Sequence, residues 1–297
     1  MSAGLLDESG TVLEKIVVAR PIDQAAMEEG PLELAAKLMQ SDVVAIGLGA
    51  AGLVTWPEGR LIWGPNVAGR DVPFKELLVE RFGLPTVVDN DANLAAWAES
   101  QVGAAQGYQH VLLVTLGTGI GGGSVIDGRI HRGRSFAGEV GHMVVDVGGP
   151  RCTCGQRGCW ETFASGRRLD QIARDVAAAD PAGLTARLAE NGPATGGHLT
   201  EAATRGDSRA AQAVAEMGAW LGIGLASLVV ILDPEIIVVG GGGARAGDIL
   251  LEPARQSMME ATEGSTFRAS TPVVAAQLGE DAGMVGAGLA AAEVAHG

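Results

Sequence analysis

The sequence predicts an α/β protein of two domains, and three observations carry that prediction. Short apolar runs, as at 43–48 and 86–88, alternate with stretches of helical periodicity. Glycine is abundant, 45 of 297 residues, and it clusters at the ends of apolar runs instead of repeating at a fixed period. No low-complexity linker and no repeat at the 20–50 residue scale divides the chain, whose length suits one large or two ordinary domains with cores of their own.

In chain order, residues 3–19, AGLLDESGTVLEKIVVA, read as two strands joined at a polar turn, 7–10. A helix is expected over about 31–40, with Leu32, Ala35, Leu38 and Met39 on one face. Residues 43–48 read as a buried parallel strand. A long loop, 50–72, follows, carrying Trp56, Trp63, Pro65 and Asn66. Residues 74–82 read as a helix stopped by Gly83, and 86–88 as the next strand. Asp89-Asn90-Asp91 ends that strand and starts a helix that turns Leu94, Trp97 and Ala98 inward.

A second α/β unit begins near His110. HVLLVTLGTGIGGGSVIDGRI reads as strand, glycine loop, strand and a hairpin turn at Asp127-Gly128. Helices are expected at 160–178 and 207–232, the latter with a strongly apolar face. A strand over 235–239 runs into the glycines 240–243, a helix starts at Asp248, and a strand near 272–277 leads to a small-residue C-terminal helix.

A net charge of −14 argues against nucleic acid as a partner, because phosphate backbones require basic patches. The longest apolar run, 225–232, is far short of the roughly 20 residues of a membrane span, so no membrane partner is expected. With an odd number of cysteines and no signal peptide in view, the expectation is a cytoplasmic protein with reduced thiols.

Those cysteines, Cys152, Cys154 and Cys159, all fall in GEVGHMVVDVGGPRCTCGQRGCWE, residues 138–161. A C-x-C-x4-C run with Gly155 and Gly158 is short and turn-rich enough for its sulfurs to converge. A β-ribbon returning through Gly148-Gly149-Pro150 brings His142 to the same point. The result is a Cys3His set suited to tetrahedral zinc with every position filled, hence a structural site.

Two glycine runs invite a ligand or a tight turn. Gly117-Thr118-Gly119-Ile120-Gly121-Gly122-Gly123 joins two strands, and its bare amides and threonine hydroxyl suit an anion as well as a plain hairpin. It is neither a Walker A loop, lacking Gly-Lys-Ser/Thr, nor a dinucleotide fingerprint, since a strand follows it. Gly240, Gly241, Gly242 and Gly243 suit a packing turn or the floor of an adenine pocket. Asp91 suits either a helix cap or a general base. The proposed ribbon gathers Glu139 and Glu161, and with Asn66, Asn90 and Asp91 they form a set of acceptors for a neutral, polyhydroxylated ligand.

VTLGTGIGGG, VDNDAN and GEVGH…CTCGQRGCWE resemble the ROK family of sugar kinases and sugar-responsive repressors. GPNVAGRDVPF and WLGIGLASLVVILDPEIIVVGGG resemble its glucokinase branch of the high-GC bacterial type. The likeness covers essentially the whole chain, and it implies the actin-like (ribonuclease H-like) ATPase fold with two α/β domains and a central cleft. The implied domains are a smaller one, 1–108 with 282–297, and a larger one, 109–281, holding the zinc segment 142–159. The implied activity is an ATP- and Mg2+-dependent hexose kinase making glucose 6-phosphate, with Zn2+ structural and the chain assembled as a dimer or tetramer. Asp91 is the implied base. Asn66, Asn90, Glu139, His142 and Glu161 are the implied sugar contacts, Gly117–Gly123 the phosphate loop, and Gly240–Gly243 the adenosine contact.

The resemblance leaves alternatives. Another hexose, N-acetylmannosamine, N-acetylglucosamine, mannose or fructose, can be the substrate, and polyphosphate can replace ATP. Repressors of the family carry a basic N-terminal helix-turn-helix, and no such segment is read here. Family kinases open with a strand and an Asp-x-Gly-Gly-Thr loop just before the segment matching Ser2–Asp7. That pattern is not found in this sequence, and the expectation is either a longer natural reading frame or a catalytically impaired sugar-binding protein.

Overall fold

In the computed structural model, residues 1–64, 67–190 and 192–296 are described. The order begins β1 (Ser2–Leu6), β2 (Val12–Val17), α1 (Gln24–Leu38), β3 (Ile46–Ala50), β4 (Leu53–Val54), β5 (Leu61–Trp63), α2 (Phe74–Phe82), β6 (Thr86–Asn90) and α3 (Asp91–Val102). It continues β7 (Val111–Leu116), β8 (Ile120–Ile126), β9 (Arg129–Ile130), α4 (Glu161–Ala164), α5 (Gly166–Ala179), α6 (Leu184–Ala189), α7 (Gly196–Thr204) and α8 (Ser208–Leu232). β10 (Ile236–Gly240), α9 (Asp248–Ala261), β11 (Val273–Ala275) and α10 (Ala282–His296) complete it.

Two compact units result. The first is Met1–Val111, Gly123–Gly138 and Gln277–Gly297; the second is Leu112–Gly122 and Glu139–Ala276. The sequence reading kept 123–138 with the larger domain. A side chain at Gly123 would begin 2.4 Å from the Ala92 carbonyl, so this half of β8 is laid directly on α3 and belongs to the first unit.

In the first unit, β1 and β2 form an antiparallel ribbon, Ser2 opposite Val17. Its turn is tied by Asp7, whose Oδ1 accepts the Ser9 and Thr11 amides. β3 and β6 pair in parallel from Ile46–Thr86 to Ala50–Asn90, which fixes the depth at which β6 ends. Helix α1 starts earlier than its periodicity suggested: Asp23 caps it through the Ala26 amide, and Pro31 lies buried inside it. A proline lacks a donor and usually marks the first turn, which is why the sequence misplaces the start. Gly83 ends α2 in the left-handed conformation expected of it (φ 68°).

The second unit holds strands in the order β11-β10-β7-β8, with β10 and β11 parallel (Ile237 opposite Val273). Its core joins Leu112, Val114 and Leu116 of β7 and Ile237 and Val239 of β10 to Leu221, Leu225 and Val229 of α8. Helix α8 is long and apolar enough to cross a membrane by length and composition, yet its apolar face is spent on this core and on α9. The helix expected over 160–178 is two, because Ser165 breaks it and caps α5 through the Arg168 amide. Helices α6 and α7 were not anticipated; α7 begins with a Thr195–His198 capping box in a glycine-rich stretch of weak periodicity.

Candidate functional site

At the end of β6, the cap of α3 is Asn90. Its Oδ1 accepts the Ala92 and Asn93 amides at 2.8 and 3.2 Å, while its Nδ2 donates to Gly52 O at 3.1 Å. Capping is therefore done by Asn90, while the Asp91 carboxylate accepts the Ala92 amide (3.0 Å) and lies near its own backbone amide. Asp91 keeps a face open to solvent, but the protein crowded around its carboxyl displaces water. That desolvation raises its pKa above the ordinary aspartate value, against the opposing pull of the helix amides. A carboxylate at a helix start with a raised pKa suits proton uptake. Asn66, the other candidate from this part of the chain, lies outside the described residues.

In the second unit, residues 142–159 form the anticipated ribbon, though through isolated bridges at Val144–Cys159 and Arg151–Arg157 instead of full strands. The Val145 amide donates to Gly158 O (2.9 Å) and the Trp160 amide to Met143 O (2.8 Å). Ligand atoms of His142, Cys152, Cys154 and Cys159 all lie within 4.8 Å of one another. Cys154 and Cys159 sulfurs are 3.6 Å apart, and Cys152 Sγ is 3.7 Å from His142 Nδ1. A zinc tetrahedron with bonds of about 2.0–2.3 Å has edges of roughly 3.5–3.8 Å, so the set fits that metal. Without a metal, burial and the neighbouring Glu161 carboxylate push the Cys152 thiol up to about 12. Burial opposes ionisation of Cys154 as well, but the Gln156 amide and the Cys152 and Cys159 thiols overcome it, and its pKa is lowered.

Two carboxylates flank this set. Glu161 Oε1 stands 2.9 Å from Cys152 Sγ and 3.9 Å from His142 Nδ1, and Glu139 Oε2 is 4.0 Å from His142 Nε2. Between them, Trp160 is fully buried and donates Nε1–H to Trp220 O (2.9 Å), anchoring the ribbon to α8. The ribbon thus fixes the metal ligands and Glu161 by one covalent path.

The glycine run divides in two. Gly117, Thr118 and Gly119 form the turn itself, with the Gly117 amide on Gly119 O (3.0 Å) and Gly117 and Thr118 exposed. Gly121, Gly122 and Gly123 are inside β8, the last two buried. Beside the turn lie two further small-residue segments. A Cβ at Gly166, the first residue of α5, would be 2.7 Å from Gly117 O, and one at Gly241 would be 2.7 Å from Leu116 O. Gly240 is buried at the end of β10, and Gly241 and Gly242 are exposed beyond it. Sequence reasoning missed Ser165-Gly166; a serine cap before a glycine is the signal that marks it. The positive dipole end of α5 lies beside the exposed turn, tied to it by the Arg167 amide on Gly117 O (3.3 Å).

The chain resembles known proteins over nearly its full length. The ROK family model matches residues 1–294. A glucokinase of Streptomyces coelicolor is 39% identical over 293 residues, covering 97% of this chain and 92% of that protein. A ROK family glucokinase from Streptomyces griseus, solved in complex with glucose and AMPPNP, is 40% identical with a TM-score of 0.88, covering 98% of this chain and 95% of that one. A ROK hexokinase from Thermus thermophilus is 36% identical with a TM-score of 0.75, covering 100% and 96%. Matches of this extent place the chain in the ROK family, with the actin-like ATPase fold of its sugar kinases.

Proposed function

We infer that this protein is an ATP-dependent glucokinase, converting glucose to glucose 6-phosphate. The observation that carries the reading is the likeness at 40% identity and TM-score 0.88 to an enzyme solved with glucose and AMPPNP. The side chains of this chain supply matching chemistry.

Asp91 accepts the proton of the 6-hydroxyl as that oxygen attacks the γ-phosphorus of ATP; the bond from the γ-phosphorus to the bridging oxygen breaks and ADP leaves. Its raised pKa, the result of desolvation, strengthens it as a base. Glu139, His142, Glu161, Asn66 and Asn90 bind sugar hydroxyls. Asn90 is the most constrained of the described ones, with its carbonyl committed to the α3 cap and one amide hydrogen to Gly52. The turn Gly117–Gly119, with Thr118 exposed at its tip and the positive end of α5 beside it, receives phosphate oxygens. Gly241 and Gly242 let the adenosine approach the backbone. Gly121, Gly122 and Gly123 shape the strand that holds the turn. Mg2+ arriving with the nucleotide would supply neutralisation of the charge on the transferring group. His142, Cys152, Cys154 and Cys159 would hold zinc, whose closed shell would fix the ribbon and leave it no part in transfer.

The same reading makes the protein a cytoplasmic homo-oligomer, dimer or tetramer, whose partners are sugar and nucleotide. A coupled assay over glucose, mannose, fructose, N-acetylglucosamine and N-acetylmannosamine, with ATP or polyphosphate as donor, tests it. Glucose with ATP should give the highest kcat/KM; a tenfold preference for another sugar or donor overturns the assignment. Light scattering of the purified protein tests the assembly.

A further inference from the structure

The β6 end is braced by a side chain that neither the resemblance nor the proposed chemistry uses. Asp89, the residue before the Asn90-Asp91 pair, is 2% exposed. Its Oδ1 accepts the Asn90 amide at 2.7 Å and Asn93 Nδ2 at 3.1 Å, and its Oδ2 accepts Arg132 Nε at 2.6 Å. The Arg132 guanidinium in turn lies over the ring of Trp56, 3.6 Å from its centroid. Three residues on, Ser135 Oγ accepts the Trp56 amide at 3.1 Å. Ser135 is buried and sits at φ 140°, a conformation a serine rarely adopts and one that surrounding bonds must hold.

A buried aspartate–arginine pair is a poor source of stability, since removing both charges from water offsets most of their attraction. Its geometry here has another result. Arg132 grips a ring on one segment and a carboxylate on another, and the planar guanidinium serves both at once. The gripped ring belongs to residues 52–64, a segment held to β6 at a second point by the Asn90–Gly52 bond. In sequence that segment runs directly into Pro65-Asn66, and the strand end it is tied to carries Asn90 and Asp91.

We propose that Arg132, with Trp56 as its stacking partner, is a positioning residue for the sugar: it registers the 52–64 segment on the Asp89 end of β6. The proposal rests on the glucokinase reading and deepens it. Nucleotide binding is assigned to the other unit, so loss of the brace should weaken sugar binding and spare ATP.

The test uses the full chain as Arg132→Gln, Arg132→Lys, Trp56→Leu and Trp56→Phe, with KM for glucose and for ATP measured separately. Arg132→Gln and Trp56→Leu should raise KM for glucose at least tenfold and leave KM for ATP within twofold. Trp56→Phe keeps a ring beneath the cation and should return to within threefold of the parent; Arg132→Lys keeps the charge without the fork and should fall between. Amide hydrogen exchange gives a readout independent of turnover. In Arg132→Gln, exchange over 52–64 and 89–93 should quicken at least tenfold, with the amides of 142–160 unchanged. Unchanged exchange over 52–64 overturns the brace. Quickened exchange with an unmoved KM for glucose, equal changes in both KM values, or Trp56→Phe as impaired as Trp56→Leu overturns its role in sugar binding. A parent that phosphorylates no hexose refutes the glucokinase reading instead, and exchange alone then decides the brace.

Discussion

Glu161 occupies the space that a side chain on Gly119 would need: a Cβ built on that glycine stands 2.1 Å from Glu161 Oε2. One residue of the exposed turn is therefore glycine for the sake of a carboxylate. Gly119→Ala should displace Glu161. A lost hydrogen bond to a charged group is worth about 1.5–3 kcal/mol, which is roughly a ten- to hundredfold loss of affinity. Calorimetric titration with glucose in the absence of nucleotide measures it. An alanine variant that binds glucose like the parent would show that Glu161 does not contact the sugar.

Asp91→Asn should lower kcat by about 10²–10⁴, the usual cost of removing a general base, while keeping most of the affinity for glucose. Turnover within tenfold of the parent would remove Asp91 from that role.

The same residue gives a stability prediction with a definite sign. Its folded pKa lies above the unfolded value because burial disfavours the charged form. The protonated form thus favours folding: that contribution is complete below the unfolded pKa and is lost as pH rises through the folded one. Above its folded pKa the parent carries an ill-solvated charge, so Asp91→Asn should melt higher than the parent on the alkaline side, with the difference shrinking as pH falls through that pKa. Acid loss of kcat/KM in the parent should likewise fall at a pH above the ordinary aspartate value. Equal melting temperatures on the alkaline side would count against the raised pKa.

Purified protein should contain one zinc per chain, and Cys154→Ser should lose it. Because Glu161 follows Cys159 by two residues on the same ribbon, glucose binding should disappear with the metal. Elemental analysis and glucose titration of both proteins check this; full glucose affinity in a zinc-free protein would separate the two functions.

Gly224→Ala should destabilise the ribbon from behind. A Cβ at this position of α8 would lie 2.0 Å from the Trp160 ring, and neither the helix nor the buried indole has room to move. Overpacking of this kind costs about 1–3 kcal/mol, visible as a lowered midpoint in urea. Zinc release by a chelator should quicken in parallel, since Trp160 adjoins Cys159.

The sequence by itself determined what depends on local spacing. Three cysteines within eight positions, with turn glycines between them, admit few arrangements, so His142 and the thiols are legible as a metal set from spacing alone. The helix starting at Asp248 and the stop at Gly83 were equally local, because a charge at a helix start and a left-handed glycine act within one turn. Only the tertiary structure decided which of Asn90 and Asp91 caps α3, since either side chain can, and the bond from Asn90 to Gly52, 38 residues away, sets its orientation. It also decided that Gly121–Gly123 belong to a strand, that Ser165-Gly166 stands beside the exposed turn, and that Arg132 joins Asp89 to Trp56. Those relations join residues tens of positions apart. Periodicity and turn chemistry register only near neighbours, whereas a close approach of two backbones or the reach of a guanidinium is fixed by how the elements pack.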